Sequence, residues 1–234
     1  MLNTKTNEDQ QELVYGTNAK PFSRRKFLGI VGAGTAIMAT AAACKKDNNN
    51  NNSGVDLGSG DTGILNYAYA LEQLEAAFYS QVILTPYTGI SALEMEYLTD
   101  IRNHEVAHRE FFKAALGASA IVDLQVDFSS ITFTSRDSVL GTAKAFEDLG
   151  VTAYNGAGQL LSTTGNGPVY LGLAGKIVSV EARHAALIAD LISNGTFANT
   201  VDANGLDSAR TPSEVLGIAG AYIKTKINAS NLPS

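Results

Sequence analysis

Cysteine and tryptophan are nearly absent from this chain of 234 residues, which contains one cysteine and no tryptophan. A single cysteine excludes an internal disulfide framework, and it excludes zinc or iron–sulfur sites built from several cysteines. Charged residues make up only 17% of the chain, and its 17 basic residues are outnumbered by 23 acidic ones. This balance lacks the basic surface that nucleic-acid binding needs, so no nucleic-acid partner is expected. The hydrophobic content of 45% is that of a folded chain.

The first 44 residues have the pattern of an export signal. Residues 23–28 read Ser-Arg-Arg-Lys-Phe-Leu, and an uncharged stretch rich in glycine and alanine follows them up to Ala43. This run resembles a twin-arginine signal, and its apolar part falls short of the roughly 20 residues that a membrane span needs. The residues Ala41–Cys44 resemble a lipobox, in which the cysteine receives a lipid after cleavage. The resemblance implies export to the periplasm or cell envelope, with membrane attachment only through a lipid on Cys44.

Residues 45–57 are predicted to form a flexible tether, because five consecutive asparagines and their polar neighbours offer no apolar surface to bury. The folded domain is predicted over residues 58–234. Within it, apolar residues recur at helical spacing in four long segments. These predicted helices are A (62–82), B (91–116), C (135–161) and D (168–193).

Two further segments complete the predicted domain. Residues 121–134, between helices B and C, alternate apolar and polar side chains, which predicts two short strands or an extended hairpin. A helix E is predicted from Thr211-Pro212 to about residue 227, with proline in its first turn. The predicted fold class is therefore all-α: a four-helix bundle with a short extended insert between helices B and C and an extra C-terminal helix.

Helices A and B carry a pattern that helices C and D repeat. The pattern is a glutamate with a tyrosine seven residues later, followed on the next helix by Glu-x-x-His. The first glutamate precedes the motif by 33 residues in one half and by 34 in the other. The residues are, in order, Glu72, Tyr79, Glu105 and His108, and then Glu147, Tyr154, Glu181 and His184.

This repeated pattern has the composition of a two-metal site. A glutamate and a histidine three residues apart share one face of a helix, so both can point to the same place. Four carboxylates and two imidazoles from four helices are the ligand set for two metal ions in a bundle core. Four carboxylates neutralise two divalent ions, whereas without metal they would repel each other when buried. Oxygen and nitrogen ligands without a thiolate suit iron or manganese, although zinc could also occupy such a site.

Two neighbouring residues complicate the choice of ligands. Glu75 lies one helical turn from Glu72 and is the alternative ligand on helix A. The repeat favours Glu72, because Glu72 corresponds to Glu147 whereas Glu75 corresponds to Gly150. His104 is expected outside the ligand set, either beside a ligand or at the surface, since adjacent helical residues point about 100° apart.

The segments around these residues resemble the ferritin-like superfamily, and most closely the desiccation-related ferritin-like domain proteins that bacteria often export. The resemblance covers about residues 61–195. It is carried by three segments: Leu71–Tyr79, Asn103–His108 and Phe146–Ala157. It implies a ferritin-like four-helix bundle that holds a di-iron or di-manganese carboxylate centre.

The resemblance also assigns roles to individual residues. Glu105 and Glu181 would be the bridging carboxylates, and Tyr79 and Tyr154 would stand near the metals as tentative catalytic residues. The metal ligands carried over in this way are Glu72, Glu105, His108, Glu147, Glu181 and His184.

Such a centre implies redox chemistry with oxygen or peroxide as the substrate, of the ferroxidase, peroxidase or catalase type. The alternative is a non-catalytic envelope protein that binds metal and protects against stress or desiccation. The lack of a Cys-x-x-Cys pair excludes a rubredoxin-type module in this chain. The tether, the insert and the C-terminal segment disfavour a closed iron-storage cage, while formation of a homo-oligomer is left open.

Overall fold

Four long helices make up most of the computed structural model, which describes residues 54–234. Within that range a short fifth helix follows them. The helices are α1 (Gly60–Leu84), α2 (Ala92–Leu116), α3 (Arg136–Gly158), α4 (Gly167–Ile192) and α5 (Pro212–Ala219). The predicted all-α bundle with an extra C-terminal helix is thereby confirmed. Predicted helix E is shorter than expected, since it ends at Ala219 and the chain then turns back toward the bundle.

Local sequence signals fix several helix ends. At the start of α2, the Ser91 hydroxyl accepts a hydrogen bond from the Glu94 backbone, and the Glu94 carboxylate accepts one from the Ser91 backbone. This reciprocal arrangement is a capping box, as the Ser-x-x-Glu order of these residues favours. Thr211 and Glu214 form the same arrangement at the start of α5.

The bundle consists of two helical hairpins, in which α1 packs against α2 and α3 packs against α4. The Ser162 backbone, just after the end of α3, donates a hydrogen bond to Asp61 at the start of α1. Helices α1 and α3 therefore lie side by side and run in opposite directions. Arg136, which begins α3, binds Glu94 near the start of α2. The connection from α2 to α3 therefore runs back along the bundle.

The predicted strands or hairpin over residues 121–134 are wrong. This segment forms no ladder with itself, and its single bridge joins Val126 to Ile223 of the C-terminal segment. Its start is held by the buried amide of Asn66 on α1, which accepts a hydrogen bond from the Ile121 backbone and donates one to the Ser119 carbonyl. The alternation in sequence reflects side chains that pack on the bundle, not pairing between two strands.

The folded domain begins a few residues earlier than predicted. Strand β1 (Val55–Asp56) pairs in parallel with strand β2 (Ile227–Asn228), and Leu57 is completely buried. The last residues of the predicted tether thus belong to the fold. The remaining tether residues, the predicted signal and Cys44 lie outside the described residues. Within residues 54–234, no helix combines the length and apolar character needed to cross a membrane.

Candidate metal centre

The six residues predicted to bind metal come together in the core of the bundle. Each comes from the middle of its helix: one from α1, two from α2, one from α3 and two from α4. The four glutamates have no exposed surface, and the side chains of His108 and His184 are 13% and 5% exposed. The convergence follows from the repeat, because each half places its single glutamate opposite the Glu-x-x-His face of the helix that packs against it.

The six side chains form two overlapping groups of four. In each group, one ligand atom from every residue lies within 4.8 Å of the others. Glu105 and Glu181 belong to both groups, so the arrangement provides two adjacent positions that share two carboxylates. The groups are Glu72, Glu105, His108 and Glu181, and then Glu105, Glu147, Glu181 and His184.

The first imidazole is surrounded by carboxylate oxygens. Nδ1 of His108 lies 2.9 Å from Oε1 of Glu181 and 3.5 Å from Oε2 of Glu72. It lies 3.6 Å from Oε2 of Glu105, its partner in the Glu-x-x-His motif. The closest contact of His108 is therefore with the motif glutamate of the other half.

The second imidazole repeats this geometry. Nδ1 of His184 lies 2.9 Å from Oε1 of Glu105 and 3.4 Å from Oε2 of Glu147. Its distance to Oε2 of Glu181, within its own motif, is 3.8 Å. The two halves thus form a pseudo-twofold arrangement in which each histidine reaches across to the opposite motif.

Despite these short distances, most of the converging atoms have no properly aligned hydrogen bond. Eight of these atoms are buried without a hydrogen-bond partner: both Nδ1 atoms, both oxygens of Glu105 and Glu181, and Oε2 of Glu72 and Glu147. Buried polar atoms are normally hydrogen-bonded, and each exception requires an explanation. All eight atoms can act as metal ligands, and they converge on two adjacent positions, which fits a pair of metal ions. Carboxylate and imidazole donors are those that iron and manganese accept.

The electrostatics of the cluster lead to the same conclusion. Burial raises the pKa of Glu72 well above its usual range and raises the pKa of Glu147 to about 8. Burial alone would lower the pKa values of His108 and His184, but contacts with Glu105 and the other carboxylates raise both to about 12. Burial opposes ionisation of Glu105 as well, yet the attraction of the two nearby imidazoles lowers its pKa to about 2. Protons on the imidazoles thus offset part of the negative charge, and these are the protons that bound metal would replace.

The two predicted tyrosines contact the cluster through its outer glutamates. The Tyr79 hydroxyl on α1 donates to Glu147 on α3, and the Tyr154 hydroxyl on α3 donates to Glu72 on α1. Burial raises the pKa of both phenols well above its ordinary value, so they remain protonated donors. Each tyrosine therefore fixes the glutamate that belongs to the other half of the bundle.

His104 lies outside both four-residue groups, beside the predicted ligand His184 and at the surface. It is exposed on α2, and its Nδ1 is 2.9 Å from Nε2 of His184, the nitrogen that faces away from the carboxylates. Sequence spacing gives no sign of this contact, because the two histidines are 80 residues apart. Glu75, the alternative ligand, is outside both four-residue groups but is buried beside them, with 3% of its surface exposed.

A four-helix bundle with two Glu-x-x-His helices and two single-glutamate helices facing one core defines the ferritin-like class of protein. Residues 60–194 match the family model described as Ferritin-like domain, and this match spans more than half of the chain. The chain therefore belongs to the ferritin-like domain family. No curated protein matches it.

Proposed function

We propose that this chain is an exported ferritin-like protein that binds two iron or manganese ions and uses them for redox chemistry with oxygen or peroxide. The observation that supports this proposal is the pair of four-residue groups that share Glu105 and Glu181 in the bundle core. The duplicated pattern supports it as well, because packing alone does not require two buried Glu-x-x-His motifs at matched spacing.

Each metal position would take one imidazole, one glutamate of its own and the two shared glutamates. His108 and Glu72 would serve one position, and His184 and Glu147 the other. Four carboxylates match the charge of two divalent ions, which would remove the repulsion among buried negative charges. Iron and manganese are favoured over zinc, because zinc has no redox chemistry.

Two such ions, when bound, supply the electron transfer that reduction or disproportionation of oxygen species requires. The chain itself supplies a site from which bulk water is excluded, since its four glutamates are fully buried. Tyr79 and Tyr154 hold two of these glutamates in place and keep a proton on each phenol oxygen. His108 is the more exposed of the two histidines, so a small molecule would reach the centre on the side where His108 meets the surface.

We also propose that the chain resembles the desiccation-related members of the family in being exported. The support is the sequence of residues 23–44, which would direct twin-arginine export and lipid attachment at Cys44, followed by a tether up to about residue 54. The twin-arginine pathway carries folded proteins. A metal acquired in the cytoplasm would then be enclosed before the protein meets copper, which binds such ligands more tightly.

The complete burial of the four glutamates favours a second candidate function, which is to hold metal without turnover in a protective envelope protein. Both functions require the same metal pair and differ in whether oxygen or peroxide reaches it. Formation of a homo-oligomer is compatible with either function.

The experiment is elemental analysis of protein purified after native export, followed by oxygen-consumption and peroxide-decay assays. We expect about two iron or manganese ions per chain, as the duplicated ligand set requires. His108→Ala and His184→Ala should bind much less metal, whereas Glu110→Gln, at an exposed position on α2, should bind as the parent does. Turnover supports the redox function, and a full metal content without turnover supports the second candidate. Less than one ion per chain after reconstitution contradicts both.

A further inference from the structure

The repeat is broken at one position inside the core. Three residues after Glu72, α1 carries Glu75, whereas three residues after Glu147, α3 carries Gly150. A Cβ atom added to Gly150 would lie 3.1 Å from Oε1 of Glu75 and 3.7 Å from Oε2 of Glu181. The space between α1 and α3 therefore holds one carboxylate, and the glycine is what leaves room for it.

Glu75 is the one buried glutamate of this core that has no proton donor. Each of the other four contacts at least one imidazole, and two of them also accept a hydrogen bond from a tyrosine. Within the described residues, no imidazole or phenol donates to Glu75, and its Oε2 atom is buried without a partner. A buried carboxyl group that only fills space would normally be hydrogen-bonded.

The neighbours of Glu75 are the carboxylates of the centre itself. Burial raises the pKa of Glu75 well above its usual range, and repulsion from Glu105, Glu181 and Glu147 raises it further. Glu105 and Glu181 are the two residues that belong to both metal-binding groups. The Cβ position of Gly150 lies within 4 Å of both Glu75 and Glu181, so Glu75 approaches one of these shared carboxylates on the side formed by α1 and α3.

We propose that Glu75 is a fifth carboxylate of the metal centre and binds the ion pair on its α1–α3 side. This inference rests on the proposed binding of two metal ions. Each group of four residues leaves a six-coordinate ion short of ligands, and the buried Glu75 would supply a further oxygen on the α1–α3 side. The positions still open would then face α2 and α4, which carry the two histidines.

Metal affinity and metal-free stability should change in opposite directions when Glu75 is replaced by glutamine. Glu75→Gln should weaken binding of Mn²⁺ about tenfold or more, a loss comparable to that of other residues supporting metal sites. It should leave the melting temperature of the metal-free protein unchanged or higher, because glutamine is a neutral group of the same shape and cannot acquire the buried charge that the cluster opposes. The absorption spectrum of the Co²⁺-loaded protein should also change, since it responds to the number of ligands.

A second variant tests the same contact without removing any carboxylate. Gly150→Ala should displace the Glu75 carboxyl group by about a few tenths of an ångström and weaken Mn²⁺ binding to a smaller extent. Gly141→Ala is the matched control, because it is also on α3 but faces open space. It should gain the same helix propensity and keep the affinity of the parent.

The outcomes separate this inference from the proposed function. If the parent binds two ions and Glu75→Gln binds them with the same affinity and the same Co²⁺ spectrum, Glu75 is not a ligand, although the metal centre stands. If Glu75→Gln instead lowers the stability of the metal-free protein, Glu75 has a structural role and the inference is overturned. If the parent binds no ion pair, the proposed function fails and this inference fails with it.

Discussion

Nδ1 of His104 on α2 lies 2.9 Å from Nε2 of His184 on α4, and the two rings are within 7° of parallel. His184 is buried and directs its other nitrogen at Glu105, whereas His104 is exposed. An exposed imidazole therefore holds the outer nitrogen of a residue that faces the carboxylate cluster. The corresponding position on α4 is Val180, which cannot hold His108 in the same way. The two halves of the centre thus differ in how firmly their histidines are oriented.

Replacing His104 by alanine should weaken metal binding about tenfold to a hundredfold, because a ligand histidine depends on the group that holds its second nitrogen. The loss should affect mainly one of the two ions, and His104→Gln should restore part of it by offering an amide at the same place. Stepwise Mn²⁺ titration of the metal-free protein measures both affinities. The control is Asn103→Ala, an exposed neighbour on the same helix. Equal affinities in the parent and His104→Ala would show that the contact does not support the site.

Replacing Tyr79 or Tyr154 by phenylalanine should lower the free energy of unfolding of the metal-free protein by about 1–3 kcal/mol. Each change removes the hydroxyl that donates to a fully buried glutamate and leaves that oxygen unpaired. The two variants should have similar effects, since the two hydrogen bonds are related by the repeat. Denaturant unfolding with chelator present gives the values. Tyr170→Phe, at a half-buried position whose hydroxyl has no hydrogen bond to any residue of the range 54–234, should change stability much less.

The metal-free domain should lose stability as the pH rises from about 6 to about 9. The pKa values of His108 and His184 are raised to about 12, so their stabilisation is complete below the ordinary value of 6.5 and is lost as the pH rises above it. The pKa of Glu147 is raised from 4.5 to about 8, so stability is also lost as the pH rises to about 8, because only the unfolded chain is ionised there. Glu105, with a pKa lowered to about 2, loses its stabilisation only in acid.

Bound metal should reverse this trend, because it replaces the protons of the cluster and binds more tightly as they become easier to remove. The gain in melting temperature from Mn²⁺ should therefore be larger near pH 8.5 than near pH 6. Thermal unfolding of chelated and metal-loaded protein at both values measures it. A metal-free domain that becomes more stable between these two values would contradict the assigned protonation of the imidazoles.

The proposed export predicts separate effects for two features of the first 44 residues. Replacing Arg24 and Arg25 by lysine should retain the protein in the cytoplasm, because a twin-arginine signal requires both arginines. Replacing Cys44 by serine should leave export intact and release the protein from the membrane fraction. Cell fractionation measures both effects. Normal envelope levels of the lysine variant would contradict the twin-arginine assignment, and membrane attachment of the serine variant would contradict the lipid anchor.

The helices and the convergence of the six candidate ligands could be predicted because their signals are local. Glu-x-x-His specifies one face of one helix, and the repeat shows that the pattern occurs twice. The contact between His104 and His184 joins positions 80 residues apart and has no such signal. The repeat predicts only one ligand on α1 and leaves Glu75 as the alternative to Glu72, whereas the structure buries both glutamates in the core. The prediction of two short strands or an extended hairpin in the insert is wrong, because alternating side chains indicate a buried face and do not identify the partner.

The exchange of tyrosine hydrogen bonds between α1 and α3 has a consequence for how the chain can be divided. A cut between α2 and α3 would give two fragments, each with a complete helical hairpin and a Glu-x-x-His motif. The Tyr79 fragment would lack Glu147, and the Tyr154 fragment would lack Glu72. Neither fragment could satisfy its buried phenol and carboxylate alone, whereas the mixture could. The two halves should therefore reassociate as a split protein, with metal strengthening the reassembled pair.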